Sequence, residues 1–80
     1  MAVRVKLFST LVKLSARKQA AFDVPWQAGL TVAEVRRAAG FSERDAEAIV
    51  GVVNGEQAEP TRRLADGDRV EFLVNLQGGV

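Results

Sequence analysis

Between residues 30 and 40 the chain carries a full set of helix-boundary signals, and that segment constrains everything around it. Thr31 stands three residues before Glu34, the spacing at which hydroxyl and carboxylate satisfy each other's backbone N–H groups in a capping box. Leu30 and Val35 take the two positions of a hydrophobic staple. Val32, Val35 and Ala39 repeat at i, i+3 and i+7, while Arg36 and Arg37 fall on the outer side. Gly40 supplies the left-handed residue that ends a helix. The spacing predicts an amphipathic helix over 32–39, with a further turn over 42–48 capped by Ser42 and Asp45. An apolar stripe of this kind has to be covered, and the segments on either side read as a sheet.

Val3, Val5 and Leu7 fall on one face of a period-2 strand, with Arg4, Lys6 and Phe8 on the other. Residues 9–20 lose that alternation and form either a long loop or a short helical turn, on which Leu11, Leu14 and Ala16 could dock. Residues 21–24 give a second short strand, antiparallel to the first, and Pro25 suits its edge or end. A third strand covers 49–53, and Asn54-Gly55 is a strong hairpin signal leading to a brief strand near 56–59. After the turn Asp66-Gly67-Asp68, residues 69–74 alternate again. Val70, Phe72 and Val74 are expected in the core, and Arg69, Glu71 and Leu73 outside. A helix between an opening hairpin and later strands needs a right-handed crossover onto the same sheet. The expected class is α+β: a β-grasp, ubiquitin-like mixed sheet packed on one main helix, with the first and last strands parallel neighbours. The domain is expected over 1–74, with 75–80 as a flexible tail ending near Gly78-Gly79.

Composition narrows what such a domain can do. Of 80 residues, 48% are apolar and 26% charged, as in a single soluble domain. A chain of this length buries only about 60–65% of its unfolded surface, which leaves no room for an enclosed cofactor pocket. No apolar run is long enough to span a membrane, and the alternating start is a strand pattern, not a signal peptide. There is no Cys, His or Tyr, which removes thiolate nucleophiles, Cys/His zinc sites and the usual general base. A net charge of +1 is too small for a phosphate-backbone surface, so nucleic acid and membrane partners are not expected. The balance is against an enzyme and for a binding or carrier module, with the cytoplasm as its default location.

Several residue groups could carry chemistry. Asp66 and Asp68 sit two apart, as oxygen ligands of a cation would, but Asp-Gly-Asp before a strand is turn chemistry, and no metal site is expected. Lys13, Arg17 and Lys18 could touch phosphates; without an interleaved aromatic they read as a solvated loop. Trp26 either anchors a partner or covers the sheet edge. On the outer sheet face Phe8 and Leu73 are expected on neighbouring strands, bordered by Arg4, Lys6, Arg69 and Glu71. An apolar centre with a charged rim is what a transient docking surface needs, and Leu76 extends it toward the tail. The remaining reactive group is the chain end. Two glycines let a backbone enter a narrow active site where any Cβ would clash. Activation of the carboxylate by another enzyme would make it an acyl donor.

Taken in order, the 3–8 strand running into Ser9-Thr10-Leu11, the start Leu30-Thr31-Val32-Ala33-Glu34, Val52-Val53-Asn54-Gly55, the run from Leu64 to Phe72 and Gly78-Gly79 resemble the ThiS/MoaD family of ubiquitin-like sulfur carriers. Length and the long first loop are more similar to the MoaD branch, the small subunit of molybdopterin synthase. The resemblance implies a carrier without a catalytic site or bound cofactor. An E1-like adenylating enzyme would spend ATP on the carboxylate of Gly79, with Gly78 giving clearance, and a sulfur donor would convert it to a thiocarboxylate. The large subunit of a cofactor synthase would then receive the sulfur for molybdopterin or tungstopterin; thiamin or another thiolated product is the alternative route. Asn75-Leu76-Gln77 replaces the family's usual Pro-Pro-Val. Val80 follows the second glycine, so either a metalloprotease trims it or this member does not carry sulfur. A noncovalent β-grasp interaction module and a lysine-conjugated modifier are the competing readings.

Overall fold

The alternation at the start becomes strand β1 (Ala2–Leu7), with Val3, Val5 and Leu7 buried and Arg4 and Lys6 exposed. In the computed structural model, which describes residues 1–74, it is followed by α1 (Ser9–Leu14), β2 (Ala21–Pro25), α2 (Val32–Ala38), α3 (Glu43–Ala46), β3 (Ile49–Val53), β4 (Glu56–Ala58) and β5 (Arg69–Val74). The strands form one sheet in the order β2-β1-β5-β3-β4. β1 and β5 are parallel neighbours at its centre, and every other pairing is antiparallel. This is the β-grasp arrangement the element order predicts.

The local signals act as expected. Thr31 Oγ1 accepts from the Glu34 N–H, and the Glu34 carboxylate accepts from the Thr31 N–H, closing the capping box. Ala39 caps the other end, followed by Gly40 at φ +85°. Ser42 caps α3 by accepting from the Asp45 N–H at 3.1 Å. Asn54 and Gly55 both take positive φ, 49° and 87°, as a two-residue hairpin turn requires.

Val32 and Val35 of α2 press on the sheet's inner face with Val3, Val5, Val70 and Phe72, all buried. The helix comes close because Gly51 lies beneath it: a Cβ there would stand 2.7 Å from Val32 Cγ1. Leu30 and Leu64 close the open side, where Thr31 bridges Arg63 and Leu64 N–H donates to the Leu30 carbonyl at 2.8 Å.

Three expectations are corrected. Of the two readings open for residues 9–20, residues 9–14 take the helical one, and Phe8, expected on the outer strand face, is instead the extended residue capping that helix (φ −84°, ψ 161°), because β1 stops at Leu7. On α1, Leu11 is buried, whereas Leu14 and Ala16 are exposed. The inward line of that short helix runs from Leu11 to Ser15, one turn on. Ser15 is buried and donates its hydroxyl to the Ala39 carbonyl, tying α1 to the end of α2. Val74, expected in the core, is 40% exposed. The β1–β5 ladder ends at Leu7 opposite Phe72, so Val74 has only Ile49 beside it.

Candidate functional site

With the helices on the inner face, the outer face of the sheet is left open, and the strand register orders it into rows. One row runs from Val50 of β3 to Leu73 of β5. The next holds Val52, Glu71, Lys6 and Ala21. The third holds Arg69, Arg4 and Asp23. Leu73 and Phe8 remain 37% and 42% exposed. Val50 and Val52 are half-buried beside them. They were missed in the sequence, although the run Ile49-Val50-Gly51-Val52-Val53 is apolar on both faces and so carries the signal.

The charged residues are not equivalent. Arg4 pairs with Asp23 at 3.2 Å, both side chains well exposed. Lys6 stands beside Glu71 in the ladder, yet its Nζ lies 5.3 Å from the centroid of the Phe8 ring, a cation–π distance. Among the described residues, Arg69 has no carboxylate within ion-pair reach. Its backbone N–H donates to Asn54 Oδ1 at 2.9 Å, fixing the start of β5 against the hairpin turn.

The other marked residues separate from this face. Asp68 accepts from the Ala65 N–H and from Asn54 Nδ2, and Asp66 pairs with the terminal amine of Met1. These two carboxylates are turn and end contacts, and no metal-competent cluster occurs among the described residues. The hydrogen bonds to Asp68, with the charge of Arg62 nearby, hold its carboxyl below the ordinary aspartate range. The basic trio divides: Arg17 stacks on Phe22 at 4.1 Å, and Lys18 Nζ donates to the Lys13 carbonyl. Trp26 packs on the core and donates its indole N–H to the Leu64 carbonyl at 2.8 Å, so it covers the sheet edge. Among the described residues no helix is long and apolar enough to cross a membrane.

β5, the strand that leads to the glycines, is central, paired with β1 on one side and β3 on the other. Leu76, Gly78, Gly79 and Val80 lie outside the described residues.

The sequence matches the ThiS family over residues 5–79, from the first strand through the second glycine. Among solved structures, SAMP1 from Haloferax volcanii superposes with a TM-score of 0.70 at 18% identity, covering 99% of this chain and all of that one. A Pyrococcus furiosus protein assigned as a molybdopterin converting factor, subunit 1, gives 0.71 at 20% identity, covering 95% of this chain and 99% of its own. At such identities the two structures establish the shared fold. The family match, which takes in both the grasp sheet and the paired glycines, establishes more: the chain belongs to the ThiS family.

Proposed function

We propose that this protein carries sulfur on the carboxylate of Gly79 for molybdopterin or tungstopterin synthesis, after removal of Val80. The observation that carries the reading is the extent of the family match, which runs through Gly78 and stops at Gly79. The chemistry follows from the tail. In the partner's site the Gly79 carboxylate attacks the α-phosphorus of ATP and pyrophosphate leaves. Hydrosulfide released by a sulfur donor then adds to the acyl carbon and AMP departs, leaving a thiocarboxylate. Gly78 and Gly79, lacking Cβ atoms, let the backbone thread a channel that any side chain would block. Anything beyond Gly79 has to go, because it displaces the carboxylate from the attacking position.

The folded domain's part is recognition. The outer face, with Val50, Val52, Leu73 and the adjoining Phe8 toward one end and Arg4 and Arg69 toward the other, Lys6 between them, is the surface that docks on the adenylating enzyme and later on the synthase large subunit. Phe8→Ala should weaken that docking by at least ~1 kcal/mol without unfolding the chain. The test of the whole reading is intact-mass analysis of the protein purified from its native cell. The expected species ends at Gly79 and has one oxygen of its carboxylate replaced by sulfur. A population ending only at Val80, in cells making the cofactor, would refute it. A second reading, conjugation of Gly79 to lysines, takes support from the full-length likeness to a small archaeal modifier protein. Isopeptide-linked Gly79 on other proteins in the same sample would favour it.

A further inference from the structure

The outer face has a polarity that docking by apolar contact alone does not use. Its apolar residues, Val50, Leu73 and the adjoining Phe8, stand at the end where β5 runs on toward the tail. Arg4 and Arg69 stand toward the opposite end, where β5 begins, and the parallel register sets one directly beside the other; Lys6 lies between the two ends, beside Glu71. Like charges side by side on neighbouring strands weaken a sheet, so this pair does not serve stability. Asp23 offsets the Arg4 charge, while Arg69 has no carboxylate in reach among the described residues, and Lys6 is drawn to the Phe8 ring despite Glu71 beside it. Arg4, Lys6, Arg69 and Glu71 border an open depression of about 560 Å³ that Asn54 and Gly55 also line.

Resting on the docking reading above, we propose that Arg69, supported by Arg4 and Lys6, receives an acidic segment of the adenylating enzyme, and that this contact sets the direction in which the carrier lies. Leu73 is four residues from Arg69 along β5, about 13 Å at strand spacing. A partner that presents an apolar patch and a carboxylate at that separation fits in one orientation. Turned end for end, it sets its carboxylate on Leu73 and its apolar patch on the guanidinium groups. The orientation that fits is the one that aims the root of the tail the same way at every encounter. A carboxylate side chain suits the site better than a nucleic-acid backbone. Arg69 offers one fork for one bidentate anion, and Asp23 and Glu71 in the same rows repel a continuous line of phosphates.

The test measures affinity of the full chain for the adenylating enzyme of the same cell, at about 50 and 500 mM salt. The variants are Arg69→Glu, Arg69→Gln, Arg69→Lys and Phe8→Ala, each checked by circular dichroism for the native fold. Arg69→Glu is expected to weaken binding about ten-fold or more at low salt, chiefly through slower association, and Arg69→Gln by less. Arg69→Lys, which keeps the charge but loses the planar fork, should fall between wild type and Arg69→Gln. Salt should weaken the wild-type complex several-fold and leave the Arg69→Glu complex almost unchanged. If Arg69→Glu and Arg69→Gln bind as wild type while Phe8→Ala does not, the basic end is idle and the carrier reading stands without it. If the wild-type chain does not bind the enzyme at all, both readings fall. If a single-stranded oligonucleotide binds more tightly than the enzyme and loses affinity in Arg69→Glu, the site serves nucleic acid instead.

Discussion

At the scale of single residues, Asp68 does the most local work. One carboxylate oxygen accepts from the Ala65 N–H at 2.8 Å and the other from Asn54 Nδ2 at 2.9 Å, so it joins the turn before β5 to the β3–β4 hairpin. Because its carboxyl is held below the ordinary range, its stabilising effect is fully present above the unfolded value of about 3.9 and is lost as pH falls through the lower folded value. Asp68→Asn should cost about 1 kcal/mol near neutrality, the modest figure reflecting solvent access. In urea titrations the difference from wild type should shrink below about pH 4. A difference constant down to pH 2 would mean that the charge is not what matters. Thr31→Ala should cost a similar ~1 kcal/mol by opening the capping box. Both residues were legible in the sequence, because a cap and a turn are written within four residues. Ser15 was not: the carbonyl that takes its hydroxyl belongs to Ala39, on another element, and no local pattern announces it.

At the scale of elements, the contact between α2 and β3 decides how deep the helix sits. Gly51→Ala would place a methyl 2.7 Å from Val32 Cγ1, so the helix or the valine has to move, at about 1–3 kcal/mol. Val32→Ala alone leaves a cavity and also destabilises, but combined with Gly51→Ala it makes room for the new methyl. The double variant should therefore be more stable than the two single losses predict, as read from denaturant midpoints. Simple additivity would show that the close approach is not a shared constraint. The centres of the elements were legible from periodicity; their ends were not. Phe8 and Val74 follow the alternation of their strands, yet each sits where a ladder has stopped, and Leu14 falls beside the inward line from Leu11 to Ser15. Where a ladder stops depends on its partners' lengths, which no single segment encodes.

At the scale of the whole molecule, one sheet and its helices share a single core, and the proposed reactive group lies in the chain after β5. In ATP–pyrophosphate exchange with the adenylating enzyme, the chain ending at Gly79 should be active. The full chain should be inactive, and Gly79→Ala in the shorter chain inactive too. Equal exchange by the full-length chain would show that removing Val80 is unnecessary. Stability should differ between the two lengths by less than ~0.5 kcal/mol. Of the proposed site, the glycines were legible as a chemical pattern, and Phe8 and Leu73 as outward apolar residues. The contribution of Val50 and Val52 emerged only once the register fixed which face the helices leave bare. That register also has a mechanical meaning. The strand leading to the tail is held by five residue pairs with β3 and four with β1, not hung on an edge. A pull on the tail therefore loads both ladders lengthwise, in shear, and their bonds must give way together; an edge strand would unzip one bond at a time. An enzyme that draws the end into its channel, or a protease that tugs at it, hauls on an anchored cable, and the domain behind it does not unravel.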